Sequence, residues 1–174
     1  MSKKWETEVN EVLRVNGVPV CQEIAIVMLY HLREQTIWQR LNLFCKVFRR
    51  QFARAYPSVR IKLQTVCLPG ADTNDVLPYL HNPHILLAIV SVECLLELHQ
   101  IPSLYEALAS SSQDTKHHAA IVARSAPLGN DHIRFAARFP ADGPSLAHSL
   151  EDDEVYTEVM QKIWEWARSI YEQL

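Results

Sequence analysis

HILLAIVSVECLLELHQIPSLYEALAS, residues 84–110, runs from an unbroken apolar stretch through one serine into a leucine-rich segment carrying Glu93, Glu97 and Glu106. ILLAIVSV (85–92) is the most apolar segment of the chain and is rich in β-branched residues, so it reads as a central strand covered on both faces. A helical stretch is expected over 93–111, interrupted by Pro102. Proline fits the first turn of a helix, so Pro102 restarts the helix rather than ending it. The three glutamates then either form the wet side of that helix or include one that handles a ligand.

Outward from this segment, strand and helix alternate. EIAIVMLY (23–30) is a second continuous apolar run of the strand type. Between 35 and 55 the period changes: Ile37, Leu41, Phe44, Cys45, Phe48 and Phe52 share one helical face, and Arg40, Lys46, Arg49, Arg50 and Arg54 fill the remaining arc as a solvated face, or as a partner or phosphate site. Pro57-Ser58 ends that helix, and VRIKLQTV (59–66) alternates as a half-buried strand does. CLPGADTND (67–75) has turn chemistry, with Asp72, Thr73 and Asn74 placed to cap a short helix, VLPYL. HHAAIVARSA (117–126) is a fourth strand. Residues 127–150 form a long connection with room for one short strand, and EDDEVYTEVMQKIWEWARSIYEQL closes the chain as a helix opened by acids that suit its positive end.

This order implies βαβ units and a mostly parallel sheet with helices on both faces. Ligands of such sheets bind beyond the carboxyl ends of the strands, where the winding direction switches. Tyr30, His31, the Pro69-Gly70 loop and Ser91 are expected at that rim. Residues 1–22 read as an N-terminal helix or linker, with Trp5, Val9, Val12 and Leu13 on one face and Asn16-Gly17 as its stop. Residues 23–174 read as the domain.

Composition narrows the function. A chain of 174 residues holds one full core, and 48% hydrophobic with 21% charged residues is globular. Seventeen basic residues against twenty acidic ones leave a formal charge of −3, which argues against nucleic acid as partner. No apolar run is long enough for a membrane span, and MSKKWETEVNE lacks the apolar core of a secretory signal. Cys21, Cys45, Cys67 and Cys94 lie far apart and read as reduced thiols of a cytoplasmic protein. There are four glycines and neither GxGxxG nor GxxxxGK[ST], which removes the usual dinucleotide and P-loop sites. No GxSxG elbow is present. The adjacent rings of His117 and His118 point to opposite faces of a strand, so no metal site is expected.

The ordered segments resemble the Toll/interleukin-1 receptor (TIR) domain family, particularly its bacterial members, over about 24–172. AIVMLYHLREQTIWQRL resembles the family's first strand and helix, with Tyr30 on the family tyrosine, His31 in place of a serine and Glu34 as the acid that follows. CLPGADTNDVLPYLHNPHILLAIVSVECL resembles the proline–glycine loop, the short helix, the third strand and the serine after it. HHAAIVARSAP resembles the next strand, and PSLAHSLEDDEVYTEVMQKIWEWA the final short strand and closing helix. The resemblance implies a three-layer, flavodoxin-like fold with a five-stranded, mostly parallel sheet. It also implies NAD⁺ as a substrate, with no resident cofactor. Enzymatic members need a glutamate in the helix after the third strand to cleave the nicotinamide–ribose bond, and Glu106 matches it by position. A carboxylate there can stabilise the positive charge that develops on the ribose. The implied ligand contacts are Tyr30, His31, Leu68, Pro69, Gly70, Ser91 and Tyr105. Read alone, Glu106 is a solvated residue in a favourable N-terminal helical turn.

The closing helix adds an observation of its own. Val155, Val159, Ile163, Trp166 and Ile170 form a core stripe, and Met160, Trp164, Ala167 and Tyr171 form a second. A surface helix needs one apolar face, so the second stripe must meet the N-terminal helix, a neighbouring protomer or an attached domain. Met160, Trp164 and Tyr171 are thus the expected interface. Two functions stay open: a self-associating signalling or defence domain that cleaves NAD⁺, or an adaptor with a degenerate pocket. Partners would be other TIR-like domains or a fused sensor domain. A nucleoside-processing or nucleotide-sensing domain of related fold is a third reading.

Overall fold

The computed structural model describes residues 14–15, 18–19, 22–70, 72–80, 83–114, 117–124, 133–141, 146 and 153–174. Five strands, β1 (Gln22–His31), β2 (Val59–Leu68), β3 (Ile85–Val90), β4 (His118–Val122) and β5 (Ala137–Phe139), form one sheet in the order β2-β1-β3-β4-β5. Every pairing is parallel. The helices are α1 (Gln35–Ala55), α2 (Thr73–Leu80), α3 (Val92–Gln100), α4 (Pro102–Asp114) and α5 (Asp153–Gln173).

Side-chain alternation along the strands builds two cores. Ile24, Ile26, Met28 and Tyr30 of β1, with Ile85, Leu87 and Ile89 of β3, meet α1 and α5 on one face. Val27, Leu29, Leu86, Ala88 and Val90 meet α2, α3 and α4 on the other. Each fully buried Leu or Ile contributes roughly 1.5–3 kcal/mol, so β3, buried at all six positions, anchors both layers. The result is a three-layer, flavodoxin-like α/β fold. Among the described residues, no helix is long and apolar enough to cross a membrane.

Local chemistry sets the element ends. Ile37, Leu41, Cys45, Phe48 and Phe52 are the buried stripe of α1. Asp72 caps α2: its carboxylate accepts from the Asn74 N–H at 2.9 Å and its carbonyl from the N–H groups of Asp75 and Val76. Ile101 leaves the helical region and Pro102 opens α4. Burial pushes the Cys45 and Cys94 thiols up to about 12, which keeps both protonated and inert. β2 is an edge strand, and its exposed residues include Arg60 and Lys62, the latter 3.7 Å from Glu23.

Two expectations need correction, and the place of the fifth strand is now fixed. The N-terminal segment is not helical to residue 15, because Arg14–Val15 pairs antiparallel with Val18–Pro19; residues 5–13 lie outside the described residues. Asn-Gly between valines is hairpin chemistry as much as a helix stop. The fifth strand is Ala137–Phe139, inside the 127–150 connection that had room for one short strand; of PSLAHSL only Leu146 is described, so the strand that the resemblance implied there lies outside the described residues. The second stripe of α5 does not wait for another chain to cover it all. α1 lies beside α5 on the same face of the sheet, so Trp164 packs edge-on against Phe52 (5.1 Å) and Phe48 (5.9 Å), and Tyr171 against Tyr56 (4.9 Å). Ala167 is fully buried.

Candidate functional site

β1 has β2 on one side and β3 on the other, and the helices that follow β1 and β3 cover opposite faces of the sheet. The switch point therefore falls at the carboxyl ends of β1 and β3. His31 ends β1 and its Nδ1 accepts from the Arg33 N–H at 3.1 Å, capping the 3₁₀ turn Leu32–Glu34. That turn delivers Glu34 into the protein, where only 3% of its surface is exposed. Its Oε1 lies 3.3 Å from Arg124 Nε, beyond the end of β4. This is an ion-pair separation without the geometry of a hydrogen bond. Arg33 Nη1 donates to Glu93 Oε1 at 2.9 Å. Hydrogen bonding to its own backbone N–H, with Arg33 and Arg124 beside it, holds the Glu93 carboxyl below its ordinary range. Two arginines and two glutamates thus join the loops after β1, β3 and β4 with no net charge. Chemically the arrangement is a clamp.

The other residues expected at the rim mostly serve the fold. Tyr30 stacks on Trp38 (4.9 Å, 8° between planes) beneath α1. Burial, then the neighbouring Cys67 thiol, push its phenol up to about 12. Leu68 is fully buried in the core beneath α2–α4. Pro69 follows it through a cis peptide, and Pro69 and Gly70 are exposed. Gly70 has φ +100°, a conformation L side chains rarely adopt, although an added Cβ would meet nothing within 4 Å. Ser91 is fully buried and caps α3, its Oγ accepting from the Cys94 N–H at 3.2 Å. Tyr105 is half-buried and stacks on His99 at 4.6 Å. Glu106 is exposed on α4.

A sizeable groove lies away from this rim. An open groove of about 720 Å³ runs between α1 and α5, lined by Leu43, Phe44, Val47, Met160 and Trp164 among others. Leu43 and Val47 are each 55% exposed. Two interface residues expected from the sequence, Met160 and Trp164, are on its wall, whereas Tyr171 is not. The sequence reading missed Leu43 and Val47; an i, i+4 apolar pair between a core stripe and a basic arc was the available signal. α1 carries five basic residues and no acidic one, and Arg40 is bound to Asp153 at the head of α5. A second void, about 10 Å³, lies between Leu29, Val90, Leu98 and Phe135 and has room for about one water. Neither cavity is lined by Glu106 or by the Glu34–Arg124 clamp.

No protein-family model matches the chain, and none of the curated proteins is significantly similar to it. Among the described residues, no three His, Cys, Asp or Glu side chains gather as a metal would require. His117 lies against Trp166 at 5.3 Å on the α5 side, and His118, one residue on, is fully buried with both ring nitrogens unpartnered.

Proposed function

We propose that this chain is a TIR-like signalling or defence domain that acts by assembly with other domains of its kind, and that it does so as an adaptor rather than by cleaving NAD⁺. The strand order and the covered faces support the kinship drawn from the sequence. The observation that carries the adaptor reading is a contrast between two places. The open apolar groove lies between α1 and α5, with Met160 and Trp164 on its wall, while Glu106 stands exposed on another helix and lines neither cavity. A glycosidic bond is cleaved in a site that surrounds the ribose and excludes water, and an exposed carboxylate supplies neither condition. The free thiols Cys45, Cys67 and Cys94 support a reducing compartment, the cytoplasm.

One observation favours the second reading, in which assembly completes an NAD⁺-cleaving pocket. Glu106 makes no hydrogen bond or ion pair among the described residues, so it is available to a neighbouring chain. Concentrated protein incubated with NAD⁺ separates the two. The adaptor reading expects no nicotinamide release above that of Glu106→Gln, with particle mass rising with concentration in the wild type and not in Val47→Glu. Release abolished by Glu106→Gln would establish the enzyme instead. A mass that never rises would end the assembly reading.

A further inference from the structure

We propose that the α1/α5 groove receives an acidic amphipathic helix of another protein, seated with its apolar stripe on Phe44, Phe48, Met160 and Trp164 and its carboxylates along one edge of α1. This goes beyond assembly between copies of the domain, and it holds or fails without it.

The spacing of α1 builds this surface in ridges, because residues four apart line up along a helix. Phe44 and Phe48, with Arg40 at their head, make the floor, and Leu43, Val47 and Gln51 make the wall above it. Lys46, Arg50 and Arg54 make the next ridge outward, and all three are exposed. Among the described residues none of these cations has a carboxylate beside it, and α1 carries no acid of its own. α5 supplies Met160 and Trp164 to the floor and Thr157, Gln161 and Glu165 to the opposite wall. Glu165 is the acid of that wall, and Lys162 binds it at 3.0 Å. Arg40 is likewise bound to Asp153. The uncompensated charge along the groove is therefore positive and lies on its α1 side.

Shape and length ask for a helix. An extended strand would lay unpaired main-chain groups against walls of side chains, whereas a helix satisfies its own and presents a stripe. Arg40 to Gln51, the α1 side of the groove, spans about 17 Å, and Thr157 to Glu165, the α5 side, about 12 Å. Three turns of helix with apolar residues at i, i+4, i+7 and i+11 also span about 17 Å. Carboxylates on one flank of that stripe would meet Lys46, Arg50 and Arg54 as charge-assisted pairs. The other flank, against Thr157 and Gln161, needs only side chains that hydrogen-bond. Acids on a single flank would then fix the direction in which the helix lies. A bilayer is too flat to fill the trough, and its anionic headgroups would press on Glu165.

Binding of a fluorescent probe peptide to dilute full-length chain, followed by anisotropy, tests this. The probe is an alanine-based helix of about eighteen residues, with leucines at the stripe positions and glutamates on one flank; in its control the glutamates are lysines. The expected result is saturable binding of the glutamate probe, at least tenfold tighter than the lysine probe and weaker as salt rises. Val47→Glu should weaken it at least tenfold. Arg50→Glu/Arg54→Glu should reverse the preference, so that the lysine probe binds the tighter, and Arg60→Glu, on the β2 edge, should change neither. All these positions are exposed, and circular dichroism checks that the fold persists. Equal binding of the two probes, binding that ignores Val47→Glu, or an Arg60→Glu loss as large as that of Arg50→Glu/Arg54→Glu would overturn the proposal. So would sedimentation with phosphatidylserine vesicles while neither probe binds, which would assign the cations to a membrane. If neither probe binds and particle mass rises with concentration in the wild type but not in Val47→Glu, the groove belongs to a second copy; the proposal fails and the assembly reading holds. If the glutamate probe binds and mass never rises, the proposal holds and the assembly reading fails.

Discussion

Glu34 Oε1 and Arg124 Nε lie 3.3 Å apart across the carboxyl edge of the sheet, joining the turn after β1 to the end of β4. The glutamate side chain is 4% exposed and the arginine 51%, so nearly all the desolvation falls on the carboxylate. Removing its partner leaves a buried charge uncompensated. Arg124→Ala should destabilise by about 1–3 kcal/mol, below the full cost for a wholly buried pair because water reaches the arginine. In Glu34→Gln the same arginine substitution should cost much less. Urea unfolding of the four proteins gives the coupling, and a coupling near zero would make the contact incidental.

His118 makes stability depend on pH. Burial, with His117 beside it, lowers the His118 pKa from 6.5 to about 4. The unfolded chain takes up the proton near pH 6.5 and the folded chain not until about pH 4, so stability falls as the pH drops through that window. The loss approaches about 2–3 kcal/mol at the acid end. His118→Leu should flatten this part of the profile, measured as denaturation midpoint against pH. An unchanged profile would mean that the acid sensitivity arises elsewhere.

Trp164 and Val47 line the same groove and should differ widely in what truncation costs. Trp164 packs on Phe48, Phe52 and Tyr56, so Trp164→Ala should cost about 2–4 kcal/mol. Val47 is half in solvent, and Val47→Ala should cost less than about 0.5 kcal/mol. Thermal unfolding distinguishes these outcomes. A similar cost for both would mean that the groove is closed in solution.

Gly70→Ala isolates backbone strain from crowding. The added methyl has open space, yet φ +100° remains disfavoured for it, so a loss of about 1–2 kcal/mol is expected. Gly70→Asn should lose less, because Asn tolerates positive φ better than Ala does. Equal losses would point away from the dihedral as the cause.

The central strands and the long helices were legible because their signals are local. Continuous β-branched runs marked β1 and β3, and the spacing from Ile37 to Phe52 marked α1 to its ends. Ser91 was legible as a residue but not as a role, since a hydroxyl just past a buried strand can serve a ligand or cap the next helix. The three residues of β5 are too few to show a period, and Arg138 among them is exposed. The Glu34–Arg124 contact joins residues ninety positions apart, and only tertiary structure brings them together. Coverage of Trp164 by α1 was hidden for the same reason: the amphipathic pattern of α5 shows that a second face exists and not what meets it.

The outermost strand of the sheet has a consequence for how copies can add to one another. β2 offers a ten-residue row of main-chain groups to the outside, but Arg60 and Lys62 stand along it, and β5 at the opposite border is three residues long. Bringing two such borders together would set like charges side by side, a common guard against strand-to-strand polymerisation. Any ordered filament built from this domain must then grow through its helical flanks, and its subunits can separate without breaking a shared ladder.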